Sequence, residues 1–106
     1  MLSLEPQIAD RHFVLRLFVA GSTIRSARAI QTIRQICDTY LTGRHDLQVL
    51  DLYQCPEAAA REQIVAVPTL IRVMPTPLRR VIGDLSDHQR VLDSLDIGSL
   101  PAGPPS

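Results

Sequence analysis

The strongest constraint on this chain is an apolar run that ends in a glycine and leads directly into an amphipathic segment. Residues 13–20 are apolar except for Arg16, which predicts a strand covered on both faces. Gly21 ends the run, and a helix-like segment begins near Ser26. A strand, a tight turn and a helix in this order favour a β-α-β unit with parallel strands and a right-handed crossover.

The first predicted helix spans residues 26–41 and carries one apolar stripe. Ser22 or Thr23 can supply its N-cap, and Gly43 is a natural C-terminal stop. The spacing of three and four predicts a helix that packs one face on a sheet. The stripe consists of Ala27, Ile30, Ile33, Cys37 and Tyr40 or Leu41.

The rest of the chain predicts three more strands and two more helices. The turn Pro75–Pro77 is too short for a crossover, so the strands beside it should pair antiparallel. Ser86 and Gln89 match a capping box at the start of the last helix. The predicted elements are a strand at 47–53, a helix from Pro56 to about Ile64, strands at 67–74 and 78–82, and a helix at 86–95.

The predicted order β-α-β-α-β-β-α gives an α/β fold with one mixed four-stranded sheet and helices on its faces. This is the arrangement of thioredoxin-like proteins. We expect one domain over residues 11–97. The aperiodic residues 1–10 predict a flexible leader, and the Pro- and Gly-rich residues 98–106 predict a disordered tail.

The redox chemistry of thioredoxins is missing from the position where it is expected. Those enzymes place Cys-x-x-Cys in the turn between strand and helix, where the helix N-terminus lowers a thiol pKa. Here that turn holds Ser22, Thr23 and Arg25, while Val67–Thr69 matches the site of a cis proline. The sequence therefore favours a binding module over an enzyme, with an oxidoreductase relic using Cys37 or Cys55 as the alternative from another class.

Composition and spacing exclude several other classes. Zero net charge and a pI near 6.8 argue against nucleic-acid binding, and no apolar run approaches the roughly 18 residues of a membrane span. Two cysteines 18 positions apart form neither a zinc pattern nor a disulfide framework, so Cys37 is expected to be a buried free thiol in a cytoplasmic protein. The three histidines show no metal-ligand spacing, and no catalytic triad order or cofactor fingerprint is present.

Several segments together resemble the KaiB family of cyanobacterial circadian clock proteins. The match runs in register from about residue 12 to 97. Its most specific part is the Pro-x-Pro-x-Arg-Arg motif with the Ile-Gly-Asp-Leu-Ser that follows it. The segments that carry it are Phe13–Gly21, Ser26–Ala29, Val67–Leu70, Pro75–Arg80 and Ile82–Ser86.

This resemblance implies a function without catalysis, cofactor or metal. KaiB proteins bind the N-terminal ATPase ring of the hexameric clock ATPase KaiC, and the complex then captures KaiA. They compete with a KaiB-like sensor domain of a clock histidine kinase. KaiB-like paralogues also occur in organisms without a clock, so a stress-related paralogue with a different protein partner is the alternative.

The resemblance also implies two folds for one sequence. A ground state of order βαββααβ is often tetrameric, and a rarer monomeric, thioredoxin-like state binds KaiC. In this chain, residues 67–74 and 78–82 prefer strand, and Ser86–Leu95 carries a helix cap and a helical stripe. Because local preference agrees with the thioredoxin-like state, we expect that state and a monomer, with a tetramer or dimer as the alternative.

Two groups of candidate residues follow from the family match. Four arginines align with basic positions or motifs of the family and are expected to contact a partner. Arg79 and Arg80 are adjacent in a strand, so they should point to opposite faces. The partner-binding candidates are Arg28, Arg72, Arg79 and Arg80; the structural or switch candidates are Pro68, Pro75, Pro77, Gly83, Ser94 (often glycine in clock-type members) and Asp96.

Overall fold

The computed structural model describes residues 12–97, and the predicted leader and tail lie outside that range. The observed order of elements is the predicted one. The elements are β1 (Phe13–Val19), α1 (Ile24–Tyr40), β2 (His45–Asp51), α2 (Pro56–Arg61), β3 (Thr69–Met74), β4 (Arg79–Ile82) and α3 (His88–Leu95).

The four strands form one mixed sheet in the order β2-β1-β3-β4. β1 lies parallel to β2, with Phe13 opposite His45, and antiparallel to β3, with Phe18 opposite Thr69. β3 and β4 are antiparallel, with Leu70 opposite Val81. This confirms the thioredoxin-like prediction; the alternative order βαββααβ is not the one observed.

The main core lies between the sheet and the two helices α1 and α3. Alternate residues of β1 point into it, as the period of two for strands requires. Phe18 and Ile71 are buried on the opposite face, where Arg16 Nη1 donates to Glu62 Oε2 at 2.8 Å. The core includes Phe13, Leu15, Leu17 and Val19 of β1, Ala29, Ile33, Ile36 and Cys37 of α1, Leu70, Val81, and Val91, Leu92 and Leu95 of α3.

The buried face of α1 is rotated from the predicted stripe. Cys37 is buried as predicted, whereas Ala27 is exposed and Tyr40 is 43% exposed. Ser26 is buried instead, and its Oγ accepts a hydrogen bond from the Ala20 backbone N–H at 3.1 Å. A polar side chain with a local partner can occupy the buried face, which an apolar pattern does not reveal. Thr23 is the N-cap.

The predicted boundaries of β2 and α2 are wrong by two or three residues. β2 begins at His45 instead of residue 47, because the backbone N–H of Phe13 bonds to Arg44 O and sets the parallel register. β2 ends at Asp51, whose Oδ1 accepts from the backbone N–H of Tyr53 at 2.9 Å and turns the chain away. α2 ends at Arg61 rather than near 64, since Gln63 has a φ of 58°.

The capping box predicted from Ser86 and Gln89 is not formed, and the N-cap of the last helix lies one residue later than predicted. The N-cap of α3 is Asp87, whose Oδ1 accepts from the Arg90 backbone N–H at 3.2 Å. Ser86 instead bonds to Asp84, and Gln89 Nε2 donates to Asp93 at 2.9 Å. Aspartate caps a helix as well as serine does, so adjacent candidates compete and the turn geometry decides. None of the helices in residues 12–97 is long and apolar enough to cross a membrane.

Candidate docking site

Four loops meet at one end of the sheet. Val19 pairs with Asp51, and Thr69 pairs with both Phe18 and Ile82. The loops that follow β1, β2 and β4 and the loop that precedes β3 therefore lie together. We call this surface, residues 20–24, 52–55, 62–68 and 83–87, the loop end of the sheet.

The loop end exposes large apolar side chains. Ile24, in the first turn of α1, is 69% exposed, Tyr53 is 79% exposed and Val65 is 89% exposed. The ring of Tyr53 lies over Gly21, where an added Cβ would meet it at 3.4 Å. Exposed apolar groups at one place on a small domain are typical of protein contact surfaces.

A groove of about 320 Å³ opens between the first turns of α1 and the loop after β4. Pro68, preceded by a cis peptide bond, lies in it at the position expected for a thioredoxin-like protein. We call this feature the arginine groove. Its lining residues are Arg25, Arg28, Pro68, Gly83, Asp84, Leu85 and Ser86.

The loop between β4 and α3 is held by its own polar groups. Asp84 Oδ1 accepts from Ser86 N at 3.0 Å and from Ser86 Oγ at 2.5 Å. These hydrogen bonds, with smaller contributions from Arg25 and Arg90, lower the pKa of Asp84. Gly83 has a φ of +112°, a conformation that only glycine adopts without strain, and its carbonyl accepts from Arg25 Nη2 at 3.4 Å.

Neither cysteine lines the arginine groove. Cys37 is buried in the core, and burial raises the pKa of its thiol to about 11. Cys55 lies at the start of α2 and is half-buried. The described residues hold no group of three or more potential metal ligands. The polar and charged lining of the groove suits charged or polar groups. The two thiols are not placed to react with a group bound there.

Of the four candidate arginines, Arg72 and Arg79 lie opposite each other on neighbouring strands and share Asp96, whereas Arg28 and Arg80 lie elsewhere. Arg28 is exposed in the arginine groove. Arg80 donates to Glu62 O at 2.6 Å on the face of the sheet opposite α3, while Arg79 Nη2 lies 3.4 Å from Asp96 Oδ2. Arg79 and Arg80 thus point to opposite faces, as predicted.

Arg72 is 2% exposed and lies under α3. Its Nη1 donates to Leu95 O and its Nη2 to Pro77 O, both at 2.9 Å, and Nη1 lies 3.6 Å from Asp96 Oδ2. In this arrangement its polar contacts are with the protein itself. The burial does not fit the expectation that Arg72 is an exposed anchor for a partner.

The other candidate residues cluster around turns. Pro75 and Pro77 both follow cis peptide bonds. The Pro77 carbonyl accepts a hydrogen bond from Arg72, which also donates to Leu95 O at the end of α3. Ser94 is half-buried on α3, and Asp96 is the C-cap of α3 with a φ of 60°. Arg25 lines the arginine groove but is not among the predicted site residues. Its spacing of three from Arg28, which places both residues on one side of a helix, is the sequence signal that could have identified it.

Comparison with known proteins agrees with these features. A family model described as KaiB domain matches residues 16–97. The Circadian clock oscillator protein KaiB of a Picosynechococcus species is 46% identical over 90 residues, 85% of this chain and 86% of that protein. The protein of the same name from Parasynechococcus marenigrum is 46% identical over 85 residues, 80% of this chain and 82% of that protein.

Solved structures show the same architecture. The N-terminal domain of Synechococcus elongatus SasA matches with a TM-score of 0.64 and 25% identity, over 91% of this chain and 94% of that domain. The germline thioredoxin Deadhead of Drosophila matches with a TM-score of 0.67 and 15% identity, over 83% and 82% of the two chains, which bears on the fold alone. The family match and the relatives together show that this chain belongs to the KaiB family of circadian clock proteins.

Proposed function

We propose that this chain is a non-enzymatic protein-binding module that docks on a KaiC-type hexameric ATPase through the loop end of the sheet. The observation that carries the proposal is the loop end of a KaiB family member, which exposes Ile24, Tyr53 and Val65 and shares Pro68 and residues 83–86 with the arginine groove, where Arg28 is exposed. Apolar centres with arginine at their margin are typical of protein interfaces. Arg79 and Arg80 are candidate contacts outside the loop end.

The absence of enzymatic activity is part of the same proposal. It is supported by the position of the two thiols: Cys37 is buried with a raised pKa, and Cys55 lies outside the arginine groove. A thiol that stays protonated at neutral pH is a poor nucleophile. The oxidoreductase relic is therefore the less favoured candidate.

The family supplies the further partners that we propose. A KaiC complex of this chain would capture KaiA and compete with the KaiB-like sensor domain of a clock histidine kinase. The binding form would be the thioredoxin-like monomer, reached by fold switching from a tetramer or dimer where that ground state is populated. The proposed domain is residues 11–97, and the proposed location is the cytoplasm.

The switch candidates support this proposal by their positions. Gly83 and Asp96 lie on either side of α3. Both have a positive φ, so the chain enters and leaves the α3 region through residues in left-handed backbone conformations. Pro75 and Pro77 form the turn between β3 and β4, and Pro68 precedes β3. Ser94 lies on α3 itself. We propose that these residues determine how readily the segment after β2 rearranges.

The test is co-elution of the protein with the KaiC-type hexamer of its own host on size exclusion in the presence of ATP. We expect wild type to co-elute, and Tyr53→Ala to weaken binding about tenfold, since interface tyrosines are often hot spots. Tyr40→Ala is the matched control, because Tyr40 is an exposed tyrosine at the C-terminal end of α1, away from the loop end of the sheet. A folded monomer that does not co-elute would favour the paralogue with a different partner.

A further inference from the structure

Three arginines from two helices converge on the turn Gly83–Asp84. Arg25 and Arg28 line the arginine groove from α1, and Arg25 Nη2 reaches the Gly83 carbonyl at 3.4 Å. Arg90 arrives from α3, with Nη2 3.7 Å from the position of a Cβ on Gly83. Arg90 is far from Arg25 and Arg28 in sequence, so it is the fold that brings its positive charge to theirs.

The cluster has more positive than negative charge. Asp84 is the one carboxylate lining the groove, and its Oδ1 already accepts two hydrogen bonds from Ser86. Within residues 12–97, the salt bridges involve His12 and other arginines, and none includes Arg25, Arg28 or Arg90. Among the residues that line the groove, two guanidinium groups against one carboxylate leave a surplus of about one positive charge at neutral pH.

The groove has the dimensions of a site for a side chain rather than for a whole domain. Its volume of about 320 Å³ is at the small end of ligand pockets. Leu85 and Pro68 are buried and form apolar walls, so a group that enters the groove is partly shielded from water. Such shielding strengthens an ionic hydrogen bond relative to one in bulk water.

We propose that the arginine groove receives an aspartate or glutamate side chain from an extended segment of the partner protein, held by Arg25 and Arg28. Planar guanidinium groups match carboxylates in a two-bonded geometry. The surplus of about one positive charge in the groove is neutralised by a singly charged carboxylate, whereas a doubly charged phosphate would leave the groove with net negative charge beside Asp84, so the charge balance favours an acidic side chain over a phosphorylated one. The inference rests on the proposed docking function and names the chemistry of the docked segment.

The first test isolates the groove from the hexamer. Two blocked peptides, Gly-Asp-Leu-Glu-Gly and its amide twin Gly-Asn-Leu-Gln-Gly, are titrated into ¹⁵N-labelled wild type while the amide signals of Gly83 and Ser86 are followed. We expect the acidic peptide to bind about fivefold to tenfold more tightly than its twin. Equal affinities would overturn the proposal.

The same titration is repeated with the variants Arg25→Gln and Arg28→Gln and with the double variant that combines them. We expect the double variant to lose the preference for the acidic peptide. Arg34→Gln is the matched control, because Arg34 is an exposed arginine on α1 outside the groove. Loss of preference in Arg34→Gln alone would overturn the assignment. Inorganic phosphate at equal concentration should displace the acidic peptide poorly; full displacement would show a general anion site and contradict the carboxylate proposal.

The hexamer then separates this inference from the proposed function. If wild type binds the hexamer and the double variant binds equally well, the groove proposal fails while the docking function stands. If wild type binds the acidic peptide but not the hexamer, the docking function fails while the groove keeps its assigned ligand. We expect the double variant to lose about tenfold or more in affinity for the hexamer.

Discussion

Arg72 lies in the middle of β3 on the face that α3 covers, where Leu70 is its neighbour and Leu15 is opposite. Burial of an unpartnered guanidinium would cost several kcal/mol, and the structure offsets this cost with backbone carbonyls. Leu95 O and Pro77 O accept from it at 2.9 Å each. One side chain therefore ties the centre of the sheet to the end of α3 and to the proline turn.

Arg72→Met is expected to lower the free energy of unfolding by about 2 kcal/mol, because two charged hydrogen bonds to backbone carbonyls are lost. Urea unfolding followed by circular dichroism measures it. Arg79→Met is the control: the Arg79 side chain is 46% exposed and makes an ion pair with the same Asp96 that Arg72 contacts, so the control keeps the two backbone hydrogen bonds of Arg72 and is expected to cost less than about 1 kcal/mol. Equal losses of unfolding free energy in the two variants would contradict the stabilising role assigned to the hydrogen bonds of Arg72.

Cys37 makes stability depend on pH in the alkaline range. Its thiol has a pKa of about 11 in the folded protein against an ordinary value of 9.0, so folding favours the neutral form. The contribution is complete below pH 9 and is lost as pH rises towards 11, at about 1.4 kcal/mol per pH unit. Urea unfolding of wild type and Cys37→Ala at pH 8, 9 and 10 tests this: the variant should lack the extra slope, whereas Cys55→Ala should keep it.

These two residues show what a pattern can and cannot predict about a single side chain. Cys37 is predictably buried because it recurs with isoleucines at helical spacing. Arg72 lies in a run of apolar and β-branched residues, and strand alternation does not say which face a helix will cover. Besides Asp96, Arg72 has the backbone carbonyls of Pro77 and Leu95 as partners, and any residue type could supply those carbonyls.

At the scale of elements, α3 depends on a single N-cap aspartate. Asp87→Ala should lower the free energy of unfolding by about 1 kcal/mol, because the N–H of Arg90 loses its acceptor. Gln89→Ala removes only the exposed contact to Asp93, so its expected cost is below about 0.5 kcal/mol. Thermal unfolding of both variants distinguishes the observed cap from the Ser86–Gln89 capping box, which would require Gln89→Ala to be at least as damaging.

The existence and type of all seven elements follow from local pattern, whereas their boundaries follow from tertiary contacts. The start of β2 is one example, because it is determined by pairing with β1 and not by the apolar pattern, which begins at Leu47. The face of α1 is another, since buried Ser26 bonds to the backbone of Ala20. For the same reason the arginine groove is not predictable: its walls come from α1, Pro68 and the loop after β4, and only the fold brings them together.

At the scale of the whole molecule, the order of strands is testable in solution. Backbone chemical shifts should indicate strand over Thr69–Met74 and Arg79–Ile82 and helix over His88–Leu95. Cross-strand NOEs should connect Thr69 with Ile82 and Leu70 with Val81, since these residues are opposite each other. Helix across 78–82 together with strand across 91–95 would contradict the prediction and indicate the alternative order. Size exclusion with light scattering should give a monomer.

The position of β1 in the sheet has a consequence for how the chain is made. Among the strands of residues 12–97, β1 is synthesised first, yet it lies in the middle of the sheet, and its partner β3 follows on the order of fifty residues later. At about 5–20 residues per second, a ribosome needs several seconds to supply that partner. During this interval β1 can pair with β2 alone, which leaves one edge of the most apolar strand open. The nascent chain is therefore most vulnerable to aggregation before β3 emerges. Mutations that weaken β1–α1–β2 should lower the yield of soluble protein in cells more than mutations elsewhere that reduce the free energy of unfolding by the same amount.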